Sequence, residues 1–242
     1  SMNALAGLYK KLVRYDEAES LYVEAQEAAK QDAGSDALVF RYNLGLLLME
    51  QGRLSEAEPL LLDHLKEQRE SGEGEDVNTL DAVQSLGILY YRQGRLKEAE
   101  ARYRTVTEKK RGLLGEDAPS TISAKICLAQ VLQALGEFEE AEQVSTEAVE
   151  GSRRVRGDDH PGTLNALNTL ATAYMGQELW RKAEGCLREC LEGYRRNLGE
   201  EHPDVLMIKG NTAICARHQG RHEDAESLYL EIQEGWEEAV GK

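Results

Sequence analysis

Two cysteines four residues apart, Cys186 and Cys190, and two histidines behind carboxylates, His160 in "DDHP" and His202 in "EEHP", have the most capacity for chemistry in this chain. On a helix a four-residue step places both thiols on one face, as a soft metal or a redox pair would require. A zinc site needs more ligands than two, and no CxxC spacing joins the pair. With Cys127 and Cys215 they read as small packing residues of helices in a reducing, cytoplasmic protein. The two histidines recur 42 residues apart, each before a proline, so a helix start accounts for both. Trp180 and Trp236 could stack on a ligand, but on helices they read as packing residues. There is no GxGxxG, no Walker-type loop, no nucleophile elbow and no recognisable pair of catalytic carboxylates. The residues therefore predict a non-enzyme without cofactor or metal.

Composition narrows the partners. The 242 residues carry 29 Lys and Arg against 44 Asp and Glu, a net charge of −15. Nucleic acid and anionic membranes need a basic face, so neither is expected as a partner. No stretch approaches the roughly 18 consecutive apolar residues of a spanning helix.

What must position the remaining residues is a repeat. Segments beginning at Leu44, Leu86, Leu128, Leu170 and Thr212 align at a constant step of 42. Ala57, Ala99, Ala141, Ala183 and Ala225 fall on that step, and so do Glu58, Glu100, Glu142, Glu184 and Glu226. Gly52, Gly94, Gly136 and Gly220 share a second register, with Glu178 in the fourth slot. Pro119, Pro161 and Pro203 share a third. A partial first copy from Leu5 stands 39 residues before the next, with Val13 in the glycine slot.

Each copy reads as two helices. Leu86, Leu89 and Tyr90 recur at three- and four-residue steps, "QGR" interrupts, and Ala99, Tyr103 and Val106 resume the period. The glycine can take the left-handed conformation that ends a helix. A pair of amphipathic helices cannot bury both apolar faces alone, so neighbouring copies must stack into a continuous core. The expected fold is all-α, a right-handed α-solenoid of about six antiparallel helix pairs. Its repeats run approximately over 3–34 (partial), 35–76, 77–118, 119–160, 161–202 and 203–242, in a single array over 1–242. The first copy begins partway into a helix and the last has no added polar capping helix. The chain is therefore expected to come from a longer array, with end faces that meet another copy or a partner.

The fixed Ala, the leucine-glycine pair and the aromatic or Leu after it resemble the tetratricopeptide repeat. The 42-residue period, the linkers "RGDDHPGTL" and "LGEEHPDVL", the "GRxxEAE" turn and Pro59 in "EAEPL" resemble its kinesin light chain subtype. The resemblance spans Asn3 to about Trp236. The paired asparagines usual in that subtype survive only in part: the slots read Tyr42-Asn43, Gln84-Ser85, Ile126-Cys127, Asn168-Thr169 and Gly210-Asn211.

The resemblance implies that first helices line a concave groove. The candidate groove residues are Tyr42, Asn43, Leu46, Gln84, Ser85, Ile88, Tyr91 and Arg92, then Gln130, Gln133, Asn165, Asn168, Thr169, Thr172, Asn211 and Arg217. In this reading the amides and hydroxyls hydrogen-bond a peptide backbone, and Tyr42, Tyr91 and Arg92 anchor its side chains. The wider strip holds Lys10, Lys11, Arg92 and Arg217 against Glu50 and Asp81, so it is locally positive and suits an acidic or carboxylate-bearing peptide. The expected function is a protein-binding scaffold. The alternative is a structural, oligomerising or sensor segment of a larger nucleotide-binding switch ATPase.

Overall fold

The computed structural model describes residues 2–31, 36–70 and 76–240 and divides into two compact units, 1–106 and 107–242. All regular structure among the described residues is α-helix, in twelve helices. The first unit holds α1 (Met2–Lys11), α2 (Tyr15–Gln31), α3 (Asp36–Glu50), α4 (Leu54–Glu70), α5 (Val77–Arg92) and the start of α6 (Leu96–Leu114). The second holds the end of α6, then α7 (Pro119–Leu135), α8 (Phe138–Arg156), α9 (Pro161–Gly176), α10 (Trp180–Leu198), α11 (Pro203–His218) and α12 (His222–Val240). Consecutive helices from α1 to α5 pack on one another, as do those from α7 to α12, and the first helices of neighbouring pairs also meet, α3 on α5 and α7 on α9.

The turns follow from the glycine register. Gly52, Gly94, Gly136 and Gly220 have φ between 75° and 80°. Around Gly94 the turn closes with bonds from Gly94 N to the Tyr91 carbonyl and from Arg95 N to the Tyr90 carbonyl, at 3.0 and 2.9 Å. Val13 and Glu178, which replace glycine in this slot, are forced to φ 59°, a conformation that costs an L-residue roughly 1–2 kcal/mol. The repeat imposes its turn even where the residue opposes it.

The longer connections use the proline register. Pro119, Pro161 and Pro203 each open a helix, where their missing N–H is no loss. His160 and His202 perform the role their spacing predicts: Nδ1 of each accepts from the backbone N–H two residues on, Gly162 at 3.0 Å and Asp204 at 3.2 Å. A ring nitrogen thus caps a helix start that Ser or Asp usually caps.

The alanine register is core. Ala57, Ala99, Ala141 and Ala183 are wholly buried, with Ala225 close behind. Glu58, Glu142 and Glu184, which follow three of these alanines, join one pair to the next, whereas Glu100 pairs with Lys97 and Arg104 of its own helix. Glu58 accepts from Gln93 at 3.1 Å and Arg95 at 2.7 Å, and Glu184 accepts from Gln219 at 3.0 Å and Arg221 at 2.7 Å. Desolvation works against charge on these carboxylates, yet the Arg and Gln bonds hold both below the ordinary carboxylate range. Glu142 meets Gln177 at 2.7 Å, with Lys182 replacing the arginine at 3.8 Å.

Candidate functional site

In the first unit, α3 presents Tyr42, Asn43 and Leu46, and α5 presents Gln84, Ser85, Ile88, Tyr91 and Arg92. Their spacing by three and four residues puts Tyr42 and Leu46, and likewise Gln84, Ile88 and Tyr91, on one stripe of each helix. The structure brings Tyr42 and Ser85 together at 2.9 Å. Ser85 gives its single proton to the Asp81 carbonyl at 3.0 Å, so the Tyr42 hydroxyl is the donor between them. Burial pushes the Tyr42 hydroxyl above its ordinary pKa, Ser85 opposes this, and the Asp81 charge adds to it. The Tyr42 ring stacks on His64 of α4 with centroids 5.0 Å apart. His64 Nδ1 donates to the Leu38 carbonyl at 3.0 Å, and burial pushes the imidazole below its ordinary pKa, so it is neutral at pH 7. Tyr42, His64, Leu38, Val39, Asn78 and Asp81 border a cavity of about 410 Å³ at this point.

The other first-unit residues divide. Asn43 donates to Asn3 Oδ1 at 2.8 Å, and Arg92 donates to the Met49 carbonyl at 2.7 Å, so both hold neighbouring helices together. Ser85 is buried, Leu46 and Ile88 are half-buried, and Tyr91 is exposed. Lys10 pairs with Glu50 at 2.8 Å, which cancels one cation and one anion of the predicted positive strip.

In the second unit α7 presents Gln130 and Gln133, α9 presents Asn165, Asn168, Thr169 and Thr172, and α11 presents Asn211 and Arg217. Gln133 donates to the Thr169 carbonyl at 2.6 Å, and Asn211 donates to Asn168 Oδ1 at 3.2 Å. Thr169 and Thr172 turn their hydroxyls back onto their own helix, to the Asn165 and Asn168 carbonyls at 2.9 and 3.0 Å. Thr169 is buried. Gln130, Asn165 and Arg217 are exposed.

The asparagine slots thus act first between neighbouring helix pairs. Tyr42 with Ser85 and Asn168 with Asn211 both span 43 residues, one repeat plus one, because the second slot of one copy meets the first slot of its neighbour. The residues left facing solvent are Tyr91 in one unit and Gln130, Asn165 and Arg217 in the other. His64 was not among the predicted groove residues, whereas His218 stands on the wider first-helix strip that the register assigns to the groove. Trp180 stacks on His218 at 4.0 Å beside a cleft of about 310 Å³ lined by Leu179, Lys182 and Gln219. The position 38 residues after each second-helix start could have pointed to this pair: Gly176 meets Phe138 as His218 meets Trp180. Trp236 does not behave as the packing residue expected of it and lies half in solvent.

The thiols lack the environment for chemistry. Burial pushes Cys186 and Cys215 up to about 11 and Cys190 further still, so none is a thiolate at neutral pH. Among the described residues no three His, Cys, Asp or Glu side chains gather as a metal would need, and no helix is long and apolar enough to cross a membrane.

Comparison with known proteins agrees with this geometry. One family model described as tetratricopeptide repeat matches residues 35–111, 120–195 and 166–238, and another of the same description matches 1–35. No match was found among curated proteins. Among solved structures, BtubC (BKLC) from P. vanneervenii superposes with a TM-score of 0.79 at 21% identity, over 94% of this chain and 93% of that one. Nearly identical TPR-like repeats of kinesin light chain type from Podosopora anserina give 0.74 at 22%, over 85% and 97%. A signal transduction ATPase with numerous domains from Pyrococcus horikoshii, which carries a tetratricopeptide repeat sensor, gives 0.77 at 17%, over 99% of this chain and 37% of that one. With helix pairs, turns and core on one register and family models matching most of its length, the chain belongs to the tetratricopeptide repeat family.

Proposed function

We propose that this chain is a non-catalytic protein-binding scaffold whose first helices receive a peptide segment. The observation that carries this reading is the second unit's strip. Gln130, Asn165 and Arg217 are exposed on helices whose neighbouring amides are already bonded to one another, so the side chains offered to a ligand stand on a fixed frame. An asparagine or glutamine amide can both donate to and accept from an extended backbone, and Arg217 adds a fork suited to a carboxylate. The strip in this unit contains no acid among its predicted residues, against a chain charge of −15, which supports an acidic peptide. Tyr91 supplies an aromatic anchor in the first unit.

The test is a displayed peptide library screened against the 242-residue chain, followed by titration of the binders. Acidic binders weakened by Asn165→Ala with Arg217→Ala, or by Tyr91→Ala with Arg92→Ala, support the reading. Binders indifferent to both pairs, or an empty screen, overturn it. A second reading, a sensor segment of a larger switch protein, is favoured by the likeness to the Pyrococcus horikoshii ATPase. It predicts binding to a nucleotide-binding domain rather than to short peptides.

A further inference from the structure

The cavity between α3, α4 and α5 lies wholly within the first unit, and its border holds residues that the repeat does not require. On the step of 42, His64 shares its register with Val106, Ala148 and Cys190, which are all buried, so the fold fills this place with small apolar side chains. His64 is buried just as deeply, at 5% exposure. Tyr42 shares its register with Gln84, Ile126, Asn168 and Gly210, and Asp81 shares its own with Ser123, Asn165 and Met207. Neither the phenol nor the carboxylate is therefore dictated by the array. All three border one cavity of about 410 Å³, a volume in the range of small-ligand sites.

The protons of these groups are already committed. Tyr42 gives its hydroxyl proton to Ser85 at 2.9 Å, and Ser85 gives its own to the Asp81 carbonyl at 3.0 Å. His64 gives Nδ1–H to the Leu38 carbonyl at 3.0 Å, so Nε2 of the neutral ring is a lone pair, with no hydrogen-bond partner among the described residues. What these groups offer is acceptor capacity: Nε2 of His64, a lone pair of the Tyr42 oxygen, and the Asp81 carboxylate, which only accepts. The amides of Asn78 and Gln68 on the same border can take either role. Arg41, whose charge reaches His64, is paired with Glu67, and the formal charge among the bordering residues is that of Asp81. The rings of Tyr42 and His64, stacked 5.0 Å apart, add aromatic surface that attracts a cation.

Such a border suits a ligand group that donates and carries positive charge. A primary ammonium has three N–H donors and no acceptor, and a chain of net charge −15 draws cations toward it. The array itself supplies a parallel. Lys110 stands one step of 42 after Gln68 and is 1% exposed, so at the corresponding place of the next copy the chain lodges an ammonium of its own.

We propose that this cavity is a binding site for a primary alkylammonium group, held by the Asp81 carboxylate, Nε2 of His64 and the Tyr42 oxygen. The site is distinct from the strip on α7, α9 and α11 and takes a ligand of the opposite charge. A free amine and a lysine side chain of a partner both present this group.

Titration of the 242-residue chain, labelled with 15N at histidine, with n-butylammonium tests the assignment through long-range proton–nitrogen spectra of the imidazole rings. The expected result is a saturable shift of His64 Nε2, as a lone pair shows when it accepts a donor, while the other four histidines keep their signals. Butanol and butyrate, of like length, should bind at least about tenfold more weakly, because one lacks the charge and the other reverses it. Asp81→Asn should weaken butylammonium by at least about tenfold with circular dichroism unchanged, because the residue is exposed and Ser85 bonds to its backbone carbonyl. His64→Val, which brings in the residue type the register carries at Val106, should abolish binding. Nα-acetyl-lysine methylamide separates the two sources: binding as tight as that of butylammonium assigns the group to a partner's lysine, and weaker binding assigns it to a free amine. Either result supports the site. Butylammonium that leaves His64 Nε2 unmoved, or that binds no more tightly than butanol, overturns the proposal. So does binding that survives both Asp81→Asn and His64→Val.

Discussion

Gly151, Gly193 and Gly235 stand 42 residues apart on α8, α10 and α12, each facing a large aliphatic residue of the helix before it. A methyl group built at Gly193 falls 2.5 Å from Leu164 Cδ2 and 2.9 Å from Cδ1. Carbon atoms in contact sit about 3.5–4.0 Å apart, so Leu164 would have to retreat by about 1 Å. It has little room to do so, because it is buried in a cluster with Leu167, Leu187 and Val205. Overpacking of this kind costs about 1–3 kcal/mol. Alanine also gains about 0.8–1 kcal/mol over glycine inside a helix, so Gly193→Ala should be net destabilising by roughly 0–2 kcal/mol. Gly185 lies in the same helix with nothing within 4 Å, so Gly185→Ala keeps the gain without the clash. The difference between the two variants isolates the packing cost. At roughly 2–4 °C per kcal/mol for a chain of this size, the melting temperatures should separate by at least about 2 °C, with Gly185→Ala the higher. At Gly235 the added methyl falls 2.8 Å from Leu206, and at Gly151 it falls 3.4 Å from Ile122 with the Asp117 carboxylate at 3.1 Å, which predicts the order Gly193, Gly235, Gly151 from most to least damaging. Thermal melts followed by circular dichroism decide the matter. Equal stabilisation by Gly193→Ala and Gly185→Ala, or a reversed order in the register, would refute the close-approach account.

Other outcomes follow from the bonds between helix pairs. Tyr42→Phe removes the donor to Ser85 and should lower stability by about 0.5–1.5 kcal/mol in urea titrations, with Ser85 retaining its bond to the Asp81 carbonyl. Glu58 and Glu184 ionise more readily in the folded chain than their ordinary value of 4.5, so their contribution is complete above pH 4.5 and fades as the pH falls through the depressed values. Melting temperatures measured across that range should therefore drop on the acid side, and replacing both residues by glutamine should flatten the slope. Iodoacetamide at pH 8 should leave Cys190 and Cys215 unmodified in the native chain and modify them once it is unfolded in urea, as read by mass spectrometry of peptides, because both are buried and their thiols are held protonated.

Much of this protein is legible in one dimension because its structure is periodic. A register that repeats every 42 residues places Ala57 and its counterparts in the core, Gly94 and its counterparts in left-handed turns, and Pro161 and its counterparts at helix starts, and each assignment rests on local backbone and steric rules. Even the exceptions, Val13 and Glu178, conform, since the bonds of the turn outweigh the strain at one residue. The stripe of its helix on which a first-helix residue stands was equally legible, since it needs only 3.6 residues per turn.

What each of those residues meets was not. Asn168, Asn211, Tyr42 and Ser85 have the same polar character in the sequence as Gln130 and Asn165, yet the first four close on one another across neighbouring helix pairs and the last two face solvent. A hydrogen bond depends on a heavy-atom separation of about 3 Å between segments some 43 residues apart, and periodicity carries no information at that resolution. The same limit hides the stacking of Trp180 on His218, which joins two residues 38 apart on neighbouring helices.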